Sequence, residues 1–160
     1  MFVEKNQKRK IMNREEYRLQ LLLSEVFSED FIVNKEVYSI DNKNRIDLII
    51  SDNNNSFGIE IKKPDLHTKN LVEGFWQCYN YSLSEWKGFG KIPVFYCYNR
   101  TKFNQNDNFL ISRLLGYKGI GSVRQTKNYG WILTKSGDRI WSQKEGMTKK
   151  GLTIKNYRHS

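Results

Sequence analysis

Cysteine is scarce in this 160-residue chain: Cys78 and Cys97 are the two it has, too few for a disulfide framework or a zinc cluster. Both fall in apolar or aromatic stretches, where a free thiol packs as a small hydrophobe. Buried, reduced thiols in a cytoplasmic protein are therefore expected. Histidine is equally rare. His67 and His159 have no second His, Cys or carboxylate at ligand spacing, and neither is assigned a role, although His67 follows the hairpin described below closely. No apolar run approaches the ~20 residues needed to span a bilayer, and nothing repeats at a fixed period, so neither a membrane span nor a solenoid is expected. The first fourteen residues are basic and polar with no apolar stretch after them, so a signal peptide is not expected. Acidic residues are what the second half lacks. Residues 91–160 carry 14 Lys and Arg against 3 Asp and Glu, a net of +11, whereas residues 1–90 carry 13 against 14. A neutral half joined to a strongly basic half points to a polyanionic partner, with nucleic acid the first candidate and a generally basic soluble protein the alternative.

What is present suits one packed domain. Hydrophobic residues make up 38% and aromatics 14% of the chain, enough for a core. Residues 1–12 read as a loosely held basic arm. Asn13 caps a helix from Arg14 to about Phe27, with Leu19, Leu22, Leu23 and Val26 at three- and four-residue steps. Strands follow at 31–40, 46–50 and 57–62. A helix from Thr68 to about Trp86 carries Leu71, Val72, Phe75, Trp76, Tyr79 and Leu83 on its apolar side. A central strand at 92–98, a helix near 107–115, a strand at 119–123 and a hairpin around Ser136-Gly137-Asp138 complete the order. This α-β-β-β-α-β-α-β succession implies an α/β fold, a mixed β-sheet flanked by helices.

The stretch RIDLIISDNNNSFGIEIKK carries the chemistry. If its turn is centred between Asn53 and Asn54, facing residues have numbers summing to 107. Ile46 then faces Ile61, Leu48 faces Ile59, and Ile50 faces Phe57, so all six apolar side chains share one face. The same register sets Asp47 opposite Glu60 on the reverse face, with Lys62 beside them. Directly opposed side chains have Cβ atoms ~5 Å apart. Two carboxylates there repel unless a divalent cation lies between them, and Mg²⁺ is commonly held by one or two carboxylates with water and phosphate oxygens. The alternative is an edge hairpin in which Asp47 and Lys62 are an ordinary surface pair.

Asp47, twelve intervening residues, then Glu60-Ile61-Lys62 resembles the signature of the PD-(D/E)XK nuclease superfamily, with Ile46 where the proline of that name would stand. The resemblance implies a restriction-endonuclease-like fold with an α-β-β-β-α-β core at about residues 14–123. It implies Mg²⁺ (with Mn²⁺ substituting) on Asp47, Glu60 and the carbonyl of Ile61, and Lys62 assisting the attacking water. Glu16-x-x-x-Gln20 is similar to a pattern that adds a further catalytic Glu from the preceding helix; Glu16 is favoured over Glu15 for that place. Gln77-x-x-x-Tyr81, fifteen residues beyond Lys62, resembles the Gln-x-x-x-Tyr motif of the exonuclease-like branch, and the likeness implies that Gln77 and Tyr81 bind substrate. Relatives in that branch hold an iron–sulfur cluster on cysteines; this chain lacks the set, so no such cluster is expected.

Residues 124–160 match nothing in that family. They combine basic groups with Trp131, Trp141 and Tyr157, which suits phosphate neutralisation and base stacking, or else a hairpin that finishes the core. The expectation is a metal-dependent DNA nuclease acting as monomer or homodimer, endo- or exonucleolytic, bacterial or phage-encoded. Its rivals are a catalytically silent nucleic-acid-binding module of the same fold and a mobile-element protein that blocks a host enzyme.

Overall fold

A computed structural model describes residues 14–62, 68–98, 105–149 and 151. Its elements run α1 (Arg14–Ser28), β1 (Ile32–Tyr38), β2 (Arg45–Ser51), β3 (Ser56–Ile61), α2 (Thr68–Leu83), β4 (Val94–Cys97), α3 (Gln105–Lys118), β5 (Gly121–Thr126), β6 (Gly130–Lys135), β7 (Asp138–Ser142) and β8 (Gly146–Met147). The expected order of elements is therefore present, in a mixed α/β architecture. All eight strands form one sheet in chain order. The pairs β1–β2 and β2–β3 are antiparallel. The pairs β3–β4 and β4–β5 are parallel, and the remainder is antiparallel.

This topology dictates the layers. A parallel pair needs a crossover, and α2 and α3 supply the two. Crossovers of one hand stepping the same way along a sheet leave their helices on the same face. Accordingly Leu71, Phe75 and Cys78 of α2 share one core with Ile111 and Leu115 of α3. Helix α1 covers the other face, where Leu23, Val26 and Phe27 meet Leu48, Ile50, Phe57, Ile59 and Ile61. Strand β4 is buried on both sides: Phe95 and Cys97 face the α1 core, Val94 and Tyr96 the α2/α3 core. Both cysteines are free and buried, as expected.

Position 123 is not a boundary, because β5 runs through it and the strands beyond continue the same sheet. Trp141 is fully buried in the α1 core, 5.1 Å from Phe27 between ring centroids. Its indole N–H donates to Asp30 Oδ2 at 2.8 Å. Trp131 is partly buried against the same core. For Trp141 the ring serves packing, since the hairpin needs an apolar face to join the sheet. Tyr157, the arm at 1–12 and His159 lie outside the described residues, as does His67.

Two helical stripes also shift. On α2 the inward face is Leu71, Gly74, Phe75, Cys78 and Tyr81, while Trp76 and Leu83 are exposed. On α1, Leu22 is exposed and Gln20 takes a buried place beside Leu23 and Phe27. No helix among the described residues is long and apolar enough to cross a membrane.

Candidate active site

The β2–β3 register is the one the apolar pattern implies: Leu48 pairs with Ile59, Ile49 with Gly58, Ile50 with Phe57 and Ser51 with Ser56. Five of the six expected apolar side chains lie together in the α1 core. Ile46 is the exception and packs in the α2/α3 core. The reason is Gly58. Ile46 Cδ1 occupies the space a Cβ on Gly58 would take, only 2.6 Å from that position. A residue without a side chain opens a slot on the opposite face, and Ile46 turns into it.

That turn opens the ladder where the two acids sit. Ile59 pairs with Leu48, so the next hydrogen bond of a regular ladder would join Ile61 to Ile46. Instead the Ile61 N–H donates to Asp47 Oδ2 at 2.8 Å. The Asp47 N–H donates to Glu60 Oε1 at 3.4 Å. Each carboxylate is thus tied to the strand of the other, in place of a backbone pair. Both residues are only 1% exposed. The Lys62 ammonium lies 3.5 Å from Glu60 Oε2, and with 21% of its side chain exposed it carries the cluster toward solvent. On the β1 side, Lys35 pairs with Leu48 and Val37 with Ile46, and Glu36 lies between these two pairs. Glu36 adopts φ 52°, a left-handed backbone that marks the distortion on that side.

The surroundings hold these groups in place. Gln20 Nε2 donates to the Asp47 carbonyl at 3.1 Å, fixing β2 to α1. Glu16 lies one turn before Gln20 on the same helix face and is half-buried, whereas Glu15 is exposed. The Lys62 N–H donates to the Cys97 carbonyl at 2.9 Å, anchoring its backbone to β4. Above Lys62 stands Gly74 of α2: a Cβ there would meet Lys62 Cε at 3.2 Å and Tyr96 Oη at 2.2 Å. The Tyr96 hydroxyl donates to the Leu71 carbonyl at 3.0 Å. Burial, with the nearby charge of Glu60 among lesser causes, holds that phenol well above its ordinary pKa. Burial and then the Asp47 charge push the Cys97 thiol up to about 12.

The chain matches no family model, no curated protein and no solved structure.

The geometry alone therefore has to say what the site can hold. Among the described residues no three His, Cys, Asp or Glu side chains converge. The donor set is a pair of buried carboxylates, with the Ile61 carbonyl directed along the strand edge that carries its N–H. Such a set fits a hard cation of the magnesium type, which takes few protein oxygens and keeps water and phosphate oxygens for the rest of its shell.

Gln77 and Tyr81 are brought together, but into the scaffold. Gln77 Nε2 donates to Tyr81 Oη at 2.8 Å, and that hydroxyl donates to the Arg45 carbonyl at 3.1 Å. The pair braces β2 two residues before Asp47. Gln20, Gly74 and Tyr96 are supports that motif reading passes over as site residues. The i to i+4 spacing from Glu16 is the available sign for Gln20. Nothing local marks Gly74 or Tyr96, which meet Lys62 only through the crossover.

Proposed function

We propose that the chain is a divalent-metal-dependent phosphodiester hydrolase acting on DNA, with a restriction-endonuclease-like fold of the PD-(D/E)XK kind. The observation that carries the reading is the pair of buried carboxylates, each tied to the strand of the other where the β2–β3 ladder opens, with an ammonium against one of them. Burying two acids side by side is unfavourable for folding, and sites selected for chemistry are where such arrangements are retained. In this reading Asp47 and Glu60 would hold Mg²⁺, with the Ile61 carbonyl as a third oxygen and Glu16 of α1 acting through water. Mn²⁺ substitutes for Mg²⁺. When bound, the cation supplies Lewis-acid activation of the phosphodiester and of a water. Lys62 orients that water and offsets charge that builds on the phosphate. Gln77 and Tyr81 keep β2 in place beneath the site. The strongly basic second half neutralises the substrate backbone.

The test is cleavage of plasmid and linear DNA with Mg²⁺ by the wild type, Asp47→Ala and Lys62→Ala, each checked for folding by circular dichroism. Both variants are expected to lose cleavage. Equal activity in all three proteins removes the assignment. Metal-free DNA binding without cleavage in Mg²⁺ or Mn²⁺ replaces it with a silent binding module.

A further inference from the structure

Among the described residues, three of the five aromatic side chains left largely in water, Trp76, Phe109 and Tyr117, lie on α2 and α3, the two helices of one face; Tyr17 and Tyr38 are the other two. On α3, Phe109 is 62% and Tyr117 82% exposed. Steps of four residues put Phe109, Arg113 and Tyr117 on one stripe, ~12 Å long. The Arg113 guanidinium lies over the Phe109 ring, 5.5 Å from its centroid. The Lys118 ammonium sits 5.0 Å from the Tyr117 ring and 4.9 Å from the Tyr79 ring of α2, so it links the aromatics of the two helices. Tyr79 meets Trp76 at 6.0 Å, and Trp76 is itself 48% exposed. The result is a surface of aromatic rings with two cations set against them.

Folding does not require this surface. Helix α3 joins the core through Ile111 and Leu115, both buried, and leaves Phe109, Leu110 and Tyr117 outside. An exposed apolar patch of this kind marks an interaction site. The charge chooses the partner. Helix α3 carries Arg113 and Lys118 against a single acid, Asp107 in its first turn, within a half of the chain that has a net +11. On α2, Glu73 lies a turn before Trp76, on the side away from Tyr79 in the chain. A polyanion that also offers flat apolar faces satisfies both features. Single-stranded nucleic acid does so, whereas a duplex keeps its base faces stacked on one another.

We infer that the α2/α3 surface binds single-stranded DNA, with bases stacking on Trp76, Tyr117 and Phe109 while Arg113 and Lys118 meet phosphates. The inference deepens the nuclease reading and rests on it for the meaning of the bound strand: it names an unpaired strand as the form of substrate the protein holds. Stacking of this kind is tolerant of sequence, because every base has a π-face.

The experiment is fluorescence anisotropy of a labelled oligo(dT) with the full chain in EDTA, beside a duplex of equal length. Oligo(dT) is expected to bind more tightly than the duplex and to quench Trp76. Phe109→Ala and Tyr117→Ala each weaken it about fivefold or more, the loss of roughly one base stack. Arg113→Gln flattens the plot of log affinity against log salt by about 0.7, one phosphate contact on a single strand. Equal affinity for both nucleic acids, indifferent to these variants, overturns the inference. So does a change of association state in the variants, by light scattering, with oligo(dT) binding unaltered, because the face then meets protein. Oligo(dT) binding with these dependences but no Mg²⁺-dependent cleavage keeps the surface and removes the nuclease reading. Cleavage without such binding does the reverse.

Discussion

Replacing Gly74 with alanine is a small change that reaches both the core and the proposed chemistry. In the interior of an exposed helix the substitution gains about 1 kcal/mol, because glycine has the greater backbone entropy to lose. Gly74 is instead buried on the inner face of α2. Its new Cβ would lie 2.2 Å from Tyr96 Oη, 2.9 Å from Tyr96 Cζ and 3.2 Å from Lys62 Cε. The first two contacts are impossible as they stand, and Tyr96 is fully buried, so its ring has to shift within the core. Overpacking of this kind costs about 1–3 kcal/mol. Moving the ring also breaks its hydrogen bond to the Leu71 carbonyl, worth about 1 kcal/mol. Set against the helix gain, the net effect is a loss of about 1–3 kcal/mol, together with a displaced Lys62 and slower cleavage. Urea unfolding gives the first quantity, and single-turnover cleavage well below the melting temperature gives the second. Tyr96→Phe removes the atom in the worst contact, so Gly74→Ala/Tyr96→Phe should be more stable than the sum of the single changes allows. A Gly74→Ala protein that gains stability, or that adds independently to Tyr96→Phe, refutes the packing described for this helix.

Three further outcomes follow from the same structure. Tyr81→Phe should cost about 1–2 kcal/mol in urea unfolding, because its hydroxyl bridges Gln77 and the Arg45 carbonyl; an unchanged midpoint with a raised KM for DNA would instead make Tyr81 a substrate contact. Trp141→Leu should lose about 2–4 kcal/mol through the cavity left in the α1 core, the exposed Asp30 carboxylate returning to water, with no change in oligo(dT) affinity; normal stability with weakened binding would restore that ring to a stacking role. Cys97, held up to about 12 in the fold against 9.0 for an ordinary thiol, stays protonated while the unfolded chain ionises. Its contribution to stability is whole below pH 9 and is lost as pH rises from 9 toward 12, by roughly 1 kcal/mol at pH 10. The wild-type minus Cys97→Ala difference in unfolding free energy should follow that curve, and a flat difference between about pH 8 and 10 would contradict it.

The hairpin is legible in the sequence because its information is local and symmetric. Three facing apolar pairs around a polar turn admit one register, and that register brings Asp47 and Glu60 together with no reference to the rest of the chain. Ile46 departs from the pattern because alternation takes every position to have a side chain; Gly58 removes one, and a neighbour fills the gap from the other side. The apolar stripe read on α2 reaches too far round, since it counts Trp76 and Leu83 as inward. Tyrosines 79 and 81 and the small residue Gly74 make several faces of the helix look alike, and only packing on β4 decides among them. Trp141 shows the same limit. An aromatic among basic residues reads equally as a stacking ring or as core, and its partner Asp30 lies 111 residues away. The supports of Lys62 come from α2 and β4, which meet only through a parallel crossover, so no spacing in the sequence encodes their meeting.

The most direct measurement of the central claim is the single-turnover rate of DNA cleavage as a function of Mg²⁺ concentration, in the wild type and in Glu60→Gln. The wild-type rate should be absent in EDTA and should rise to saturation with Mg²⁺. In Glu60→Gln the half-saturating concentration should rise about tenfold or more, because the substitution weakens a ligand of the ion itself. A rate indifferent to Mg²⁺, or superimposable curves for the two proteins, would contradict a cation held between Asp47 and Glu60.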